Sequence, residues 1–473
     1  MNGPRITPPA RVVQDPSMRP VGDLLRGPTP MCPAHATVRD TAETMASSRR
    51  RSVLIPLGDG THGIVTQGDL TRRVLAAGRG PTTPVGAVMT APVRTCRADR
   101  LGADALMDML EHGVRQLPVL SARGELLGVV EDADLLGTAA RGGFLLRGNI
   151  SRATDTDELV TVATRIPALV LGLRQTRMAP LDVSAILSVI IDATVTRALD
   201  LVTEAADFTW LSLGSVARRE ALPASDLDTA MIRPDRSDFA EFAELAQRPH
   251  ALLVRCGLRS DANGAVATRR RFSRTQDEWI RATEAWIRDP FHDRGLVMLS
   301  LLLDSRAVGG DADRSLTEAV AEKLRAHPRA MRLLLREAVA EPARPHPLRQ
   351  ILSRRSGPVD LKAHGAMPVM NIARWAGICA GVTDRSTIVR LQAAAGTGLL
   401  LDDDARVLSE SFDVVQQIRL RHQCEQLEQG LPITDEVDVD TLTPLYRSLL
   451  SEAVREIAGV GRRLSYAESA GAW

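Results

Sequence analysis

The chain has 473 residues, and its 59 Lys and Arg side chains against 58 Asp and Glu leave a formal net charge of +1. This length is typical of about three domains of roughly 100–200 residues each, and the balanced charge gives no general attraction to nucleic acid or to membranes. The five cysteines form no Cys-x-x-Cys pair, which argues against a zinc site or a disulfide framework and favours a reducing cytoplasm. No apolar run approaches the roughly 18 residues that a membrane span needs.

Residues 1–17 are rich in Pro and Arg and lack the apolar core of a signal peptide, so we predict a flexible tail there. The chain also contains no His-Glu-x-x-His, Gly-x-Ser-x-Gly or Gly-Lys-Ser/Thr motif. These absences disfavour zinc hydrolases, serine hydrolases and P-loop enzymes.

Residues 18–140 contain an internal repeat, which we divide into units at 18–78 and 82–140. The segment Gly63-Ile-Val-Thr-Gln-Gly-Asp69 recurs as Gly128-Val-Val-Glu-Asp-Ala-Asp134 at an offset of 65 residues. Each unit predicts a short strand, an amphipathic helix, two further β-segments and a closing helix. Repeated units of this size pack against each other rather than stand alone.

The repeat resembles tandem CBS domains, in which the Thr of such a segment meets the phosphate of an adenine nucleotide and the Asp meets its ribose. The resemblance gives these roles to Thr66 and Asp69 and implies AMP, ADP or ATP as a ligand. The second unit keeps Asp134 but has Glu131 in place of the Thr, and a carboxylate there would repel phosphate. We therefore expect at most one good nucleotide site, near Asp69. Alternatively, Asp69 and Asp134 only cap the helices that follow them.

Residues 141–205 carry apolar residues at helical spacing and are predicted to form a helical connector. The next segment, residues 206–310, contains the stretch that is most informative about function. Its apolar run from Phe208 ends in Gly214-Ser215, and a second apolar run opens with Asp226-Leu-Asp228. This pattern predicts a strand, a tight turn, a short helix and a second strand.

The turn and the paired acids suggest a phosphate and metal site. A glycine lets backbone approach a ligand closely, and the free N–H groups of a turn that enters a helix suit phosphate oxygens. In a strand Asp226 and Asp228 share a face, and hard cations such as Mg²⁺ bind paired carboxylates together with substrate phosphates. The alternative is a surface turn with solvated acids, because Asp-x-Asp also occurs elsewhere in the chain, for example at Asp438 and Asp440.

The Gly-Ser and Asp-x-Asp combination resembles the signature of the DNA polymerase β-type nucleotidyltransferase superfamily, and more specifically that of the CBS-domain-linked nucleotidyltransferase family. The resemblance implies that Gly214, Ser215 and Arg218 hold the phosphates of a nucleoside triphosphate, and that Asp226 and Asp228 bridge two Mg²⁺ ions. Two departures stand out. Val216-Ala217 replaces the family's Glu-Gly, and residues 260–264 read Ser-Asp-Ala-Asn-Gly where a Cys-Pro-Gly-Gly-like loop is expected.

Two further residues enter by resemblance. Residues 295–306 are predicted to be an apolar strand that ends in Asp304, and its Asp-x-Arg is similar to that of PII-protein uridylyltransferases and glutamine synthetase adenylyltransferases. This similarity implies that Asp304 is the third metal-binding carboxylate and accepts a proton; a plain acid at a strand end is the alternative. The segment around Lys362 resembles the Asp-x-Lys of the same enzymes, which implies that Lys362 neutralises nucleotide phosphate.

The remaining pattern predicts a short strand at 251–254 and an almost wholly helical region over residues 311–473, with helices near 367–380, 385–395, 403–429 and 444–460. We thus predict an α+β multidomain protein with a tandem CBS pair, a polymerase β-type nucleotidyltransferase domain with a mixed sheet, and a helical C-terminal domain.

The expected function is Mg²⁺-dependent transfer of a nucleoside monophosphate from UTP or ATP to an acceptor hydroxyl, such as a side chain of a regulatory protein, under control of adenine nucleotide at the CBS pair. The alternative is a catalytically inactive nucleotide sensor that signals by protein contact. A cytoplasmic protein without nucleic-acid or membrane partners is expected, and the resemblance implies a homodimer.

Overall fold

The computed structural model describes residues 20–25, 27, 29–58, 61–135, 140–176, 178–203, 207–261, 263–308, 315–340, 358–398 and 400–470. The predicted tail at 1–17 lies outside these residues. The chain divides into two compact units, residues 1–144 and 145–473.

The first unit is built from two similar halves, as the sequence repeat predicts. Its strands pair as β1-β2, antiparallel, and as β3-β4-β5, with β3 parallel and β5 antiparallel to β4. A π-helical turn over Leu70–Leu75 continues α2. The elements are α1 (Val38–Ser48), β1 (Ser52–Pro56), β2 (His62–Thr66), α2 (Gln67–Asp69), β3 (Cys96–Arg97), α3 (Gly102–His112), β4 (Gln116–Leu120), β5 (Leu126–Glu131) and α4 (Asp132–Leu135).

The second unit is mostly helical. Its strands are β6 (Thr209–Ser212), β7 (Thr229–Arg233), β8 (Ser273–Thr275), β9 (Arg306–Val308), β10 (Pro358–Asp360) and β11 (Glu436–Asp438). Its helices are α5 (Ala140–Arg152, which begins before the boundary), α6 (Thr156–Ala163), α7 (Ile166–Gln175), α8 (Pro180–Val202), α9 (Gly214–Ala217), α10 (Phe239–Arg255), α11 (Gln276–Arg288), α12 (Gly295–Leu303), α13 (Ser315–Arg325), α14 (Pro328–Val339), α15 (Met367–Cys379), α16 (Thr387–Ala394), α17 (Asp402–Gln429) and α18 (Pro444–Ser469).

A four-stranded mixed sheet positions the residues that matter for function. Its order is β8-β7-β6-β9, with β6 antiparallel to both neighbours and β8 parallel to β7. The ladder continues past the strand ends, because the Leu213 N–H donates to the Asp228 carbonyl at 2.9 Å. The end of β6 and the start of β7 therefore lie side by side, and the turn at Gly214 faces the acids before β7.

Two predicted strands are helices. Residues 295–303 form α12, and only Arg306–Val308 pairs as a strand. The run is dominated by leucines, which are good helix formers, and its single β-branched residue is Val297. Residues 251–254 belong to α10, whose buried residues Phe242, Ala246, Pro249 and Leu253 follow helical spacing.

The α+β multidomain class is confirmed, with the repeated pair at the N-terminus, mixed sheets and a helical C-terminal region. The four predicted C-terminal helices appear as α15 to α18, and the last of them extends beyond the prediction to Ser469. Pro444 opens that helix at its first position, and the Thr443 side chain accepts a hydrogen bond from the Tyr446 N–H.

Candidate functional site

A cavity of about 400 Å³ in the second unit brings together residues that are far apart in sequence. Its walls come from the turn after β6, the segment before β7, and helices α12, α14 and α15. The sequence-predicted residues that line it are Gly214, Ser215, Arg218, Asp226, Asp228, Asp304 and Lys362. We call it the transferase cavity, after the function that the sequence predicts for these residues.

Gly214 is required by its backbone and by its neighbour. Its φ is +57°, a left-handed conformation that residues with a Cβ adopt at a cost. A Cβ built at this position would overlap Oδ2 of Asp228. The close approach that the sequence suggested is therefore seen, but the group that approaches is the Asp228 carboxylate.

The segment before β7 places two acids on the cavity side. Leu227 is buried at 4% exposure and packs inward, while its neighbours Asp226 and Asp228 both line the cavity, as strand alternation requires. The Leu227 N–H donates to the Arg259 carbonyl at 2.7 Å, and Oδ1 of Asp226 lies 3.5 Å from Nε of Arg259. The paired acids thus lie on one face.

The positive charge near the Asp228 carboxylate does not offset its burial and its acidic neighbours. Burial raises its pKa to about 7, the nearby carboxylates of Asp261 and Asp226 push it in the same direction, and Lys362 and Arg218 act against them. Within the described part of the chain we find no hydrogen bond to this carboxylate. A bound cation would supply the missing charge.

Lys362 and Asp261 complete the polar end of the cavity. Lys362 begins a π-helical turn over Lys362–Ala366, and the Asp360 carboxylate holds this turn by accepting from the Ala363 N–H at 2.9 Å. Asp261 lies in the loop that departs from the family pattern, and its two oxygens accept from the backbone N–H groups of Asn263, at 3.1 Å, and Ala265, at 2.6 Å. Asp261 was missed from the sequence because it belongs to no motif.

Asp304 does not fit the predicted role of a third metal ligand. It follows α12, its side chain is 1% exposed, and three arginines surround it. Nη1 of Arg218 lies 2.7 Å from Oδ2, Nη2 of Arg374 lies 2.6 Å from Oδ2, and Nη1 of Arg390 lies 2.6 Å from Oδ1. Burial alone would raise the pKa of Asp304, but the arginines outweigh it and hold the pKa below its usual range. A carboxylate whose oxygens are both taken in this way has little to offer a metal ion.

Arg218 likewise does not fit the predicted phosphate contact. Its Nε donates to Glu220 at 2.7 Å, its Nη1 to Asp304 at 2.7 Å, and its Nη2 contacts the Met370 sulfur at 2.9 Å. The side chain is 7% exposed. Arg218 therefore holds the cavity wall in place, and each of its three nitrogens already has a partner in the protein.

The carboxylates fit one hard cation better than the two predicted. Within the described ranges, no group of three or more His, Cys, Asp or Glu side chains is arranged to hold a metal ion. Asp226 and Asp228 still offer oxygen ligands of the type that Mg²⁺ takes, usually through one or two carboxylates plus substrate phosphates. The unbalanced charge on Asp228 suits such a cation.

We predict that Gly214→Ala disturbs this site. The added methyl group would displace the Asp228 carboxylate and strain the left-handed backbone, so we expect a loss of about 1–3 kcal/mol in the free energy of unfolding. Gly172→Ala in α7 is the matched control, because a Cβ there meets nothing within 4 Å, and alanine favours a helix. Denaturant unfolding of both variants measures this. Equal stability of Gly214→Ala and the parent would contradict the close approach.

A second cavity, of about 630 Å³, lies between the two halves of the first unit. Thr66 and Asp69 line it, and they also form a capping box in which the Thr66 Oγ1 hydroxyl donates to Asp69 Oδ2 at 2.7 Å. Asp134 accepts from the Glu131 N–H at 2.9 Å. Both aspartates thus make the contacts expected of helix caps, and Asp69 also faces the cavity and lies 3.5 Å from Nε of Arg73. Its lining includes five arginines, Arg51, Arg72, Arg73, Arg94 and Arg115.

The chain combines two halves around an arginine-lined cavity with a mixed sheet that carries a Gly-Ser turn and paired aspartates, which is the arrangement expected of the nucleotidyltransferase class. Family models match the same segments: "CBS domain" at residues 21–76 and 85–141, "Putative nucleotidyltransferase DUF294" at 164–293, and "Putative nucleotidyltransferase substrate binding domain" at 328–467. The chain belongs to the CBS-linked nucleotidyltransferase family, as the sequence motifs predicted.

Individual relatives match short parts of the chain. An uncharacterized protein of Methanopyrus kandleri is 32% identical over 85 residues, which are 18% of this chain and 43% of that protein. An uncharacterized 17.7 kDa protein of Acidianus ambivalens is 32% identical over 102 residues, or 21% of this chain and 61% of that one. The chain thus spans about half the length of these curated relatives.

Solved structures match about a quarter of the chain. A "putative signal-transduction protein with CBS domains" from Burkholderia ambifaria is 32% identical and covers 26% of this chain and 89% of its own, with a TM-score of 0.23. A CBS domain protein from Pyrobaculum aerophilum complexed with AMP is 23% identical, covers 27% of this chain and 98% of its own, and has a TM-score of 0.24.

No helix among the described residues is both long and apolar enough to cross a membrane.

Proposed function

We propose that the second unit is a Mg²⁺-dependent nucleotidyltransferase that moves a nucleoside monophosphate from UTP or ATP to an acceptor hydroxyl. The proposal is supported chiefly by the transferase cavity. A Gly-Ser turn, two aspartates on one face and a lysine meet there, and one of the aspartates, Asp228, has too little positive charge around it. By resemblance to PII-protein uridylyltransferases, the acceptor is a side chain of a regulatory protein. The resemblance of residues 18–140 to tandem CBS domains supports a homodimer formed through that pair.

The roles that we propose for the cavity residues follow from their charges. Asp226 and Asp228 hold the cation, which neutralises negative charge on the reacting phosphate when it is bound. Lys362 lies near enough to Asp228 to lower its pKa and adds positive charge for the phosphates. The backbone N–H groups of the Gly214-Ser215 turn and the Ser215 hydroxyl would donate to phosphate oxygens. Arg218 and Asp304 pair with each other in the cavity wall and keep it in place.

We further propose that the CBS cavity binds AMP, ADP or ATP and regulates the transferase. The five arginines that line this cavity suit phosphate groups. Carboxylates lie within 4.0 Å of four of them: Glu131 of Arg51, Asp69 of Arg73, Asp108 of Arg94 and Asp132 of Arg115. Phosphate is expected nearer Asp69 than Asp134, because Thr66 and Arg72 line the cavity there and the Glu131 carboxylate would repel it.

The main alternative is a nucleotide sensor without catalytic activity. It is favoured by the closure of Asp304 among arginines and by Val216-Ala217 in place of the family's Glu-Gly. In this case the CBS cavity would be the only nucleotide site in use, and the transferase cavity would have no catalytic role.

Calorimetry of the full chain separates the two functions. We expect ATP and UTP to bind with a Mg²⁺-dependent component that disappears in Asp226→Ala, and AMP to bind with a component that is weakened only in Asp69→Ala. The first component reports the transferase cavity and the second the CBS cavity. If triphosphate binding is unaffected by Mg²⁺ and by Asp226→Ala, the transferase proposal is wrong and the sensor remains.

A further inference from the structure

The transferase cavity has an apolar side as well as a polar end. Two helices supply it, each with a pair of residues four positions apart that share a face. On α12 these are Val297 and Leu301, and on α15 they are Met367 and Asn371. Val297 is 45% and Met367 42% exposed, although both are apolar. Both side chains are therefore available to pack against an apolar face of a bound ligand.

Asn371 is the polar member of this set, and its orientation is fixed. Nη1 of Arg374 donates to Oδ1 of Asn371 at 2.7 Å, and since a guanidinium only donates, the oxygen must be the atom that faces it. Arg374 is itself held by Asp304, through Nε at 3.2 Å and Nη2 at 2.6 Å. Asp304 thus fixes the position of the Arg374 side chain, and Arg374 fixes which way the Asn371 amide points.

The Asn371 amide nitrogen is left to act as a donor. Its two N–H groups make no hydrogen bond to any part of the chain that the structure describes, while the side chain lines the cavity. Asn371 therefore offers a ligand hydrogen-bond donors, because its oxygen is engaged by a charged partner.

Asn371 is separated along the helix from Lys362, the residue that we propose contacts the phosphates. Lys362 and Asn371 are on one continuous stretch, a π-helical turn that runs directly into α15. Nine residues of α-helix would rise about 13 Å at 1.5 Å per residue, and the π-helical turn over Lys362–Ala366, which rises less per residue, makes the actual span somewhat shorter. This span exceeds one phosphate group, so the two residues would contact different parts of a bound nucleotide.

We propose that Asn371 is a specificity-determining residue that donates to a carbonyl oxygen of the nucleobase, and that the base is uracil. The inference rests on the proposed transferase function. Uracil presents carbonyl acceptors at its edge and an apolar face for Met367 and Val297. Adenine is paired best by an asparagine whose oxygen and nitrogen are both free to make two hydrogen bonds, and here the oxygen is occupied by Arg374.

The test is the magnesium-dependent component of UTP and ATP binding to the full chain, measured by calorimetry. Asn371→Asp keeps an acceptor for Arg374 but replaces the donor with a carboxylate. We expect the Kd for UTP to rise about tenfold or more, the effect of losing one hydrogen bond, with a smaller change for ATP. Asn149→Asp is the matched control, because Asn149 accepts from Arg152 at 2.9 Å with the same spacing on α5. It should leave both affinities unchanged.

The outcomes are distinguishable. If the parent shows no magnesium-dependent triphosphate binding, the transferase proposal fails and this inference falls with it. If UTP binds and Asn371→Asp leaves its Kd unchanged, or weakens UTP and ATP equally, the base contact is wrong while the transferase proposal stands. Thermal unfolding of each variant checks that a loss of affinity is not a loss of fold.

Discussion

Asp304→Asn is expected to lower the free energy of unfolding by about 3–5 kcal/mol, the usual cost of removing one partner from a buried ion pair. The substitution keeps the shape of the side chain but leaves Arg218, Arg374 and Arg390 facing one another. All three arginines are less than a tenth exposed. Arg218 would keep Glu220, whereas Arg390 would keep only backbone carbonyls.

The pH dependence of this effect has a definite sign. The pKa of Asp304 is lower in the folded chain than in the unfolded chain, where it is about 4. Its stabilisation is therefore fully present above that unfolded value and is lost as the pH falls toward the folded value. The difference between parent and variant should be constant from about pH 5 to pH 8 and should shrink in more acidic solution.

Chemical denaturation of parent, Asp304→Asn and Asp403→Asn measures the effect. Asp403 pairs with Arg406 at 3.1 Å, but its side chain is 86% exposed, so the control should show little change. If Asp304 were instead a metal ligand, as the sequence predicts, Asp304→Asn would lose activity without a change in stability. That result would show that Asp304 does not pair with the three arginines in the active protein.

Asp228→Asn is expected to abolish nucleotidyl transfer. A neutral amide cannot supply the charge that holds a divalent cation, and removing one preorganised electrostatic contact at a reacting centre typically costs on the order of 100-fold or more in rate. The measurement is transfer of label from α-labelled UTP or ATP to any acceptor in host lysate. Undiminished labelling would refute the assignment of Asp228.

The stability of Asp228→Asn shows whether a loss of labelling comes from lost catalysis or from misfolding. The Asp228 carboxylate is buried with too little positive charge around it, and its pKa of about 7 reflects this. The ligand-free variant should therefore unfold at no lower temperature than the parent at neutral pH. Asp440→Asn is the matched control, because Asp438 and Asp440 form an exposed Asp-x-Asp outside the transferase cavity. It should retain full labelling.

Local pattern predicted much of the fold. The 65-residue repeat, the strand-turn-helix-strand around Gly214 and the C-terminal helices depend on short-range periodicity and capping, which a sequence displays directly. The predictions failed at residues 251–254 and 295–306, where an apolar run carries no clear period. Packing decided those cases, because α12 buries six of its nine residues within the core of the second unit.

The site was predictable only in part. Gly214, Ser215, Asp226 and Asp228 stand close together in the chain, so their spacing indicated a shared turn and a shared face. Lys362 was named by resemblance, and the structure places it on the same cavity. Asn371 and Arg374 could not have been found, because they belong to no motif and because Arg374, which orients Asn371, is held by Asp304, 70 residues away in the sequence.

The sequence by itself determined the order of the domains, the family, and the turn with its paired acids, since each of these is written in residues close together along the chain. Only the tertiary structure decided what Asp304 and Arg218 do. A carboxylate after an apolar run could bind a metal ion or an arginine equally well, and the choice depends on which charges the fold buries beside it. Three arginines that are distant from Asp304 in the sequence surround it in the fold. Because opposite charges attract strongly away from water, Asp304 pairs with these arginines.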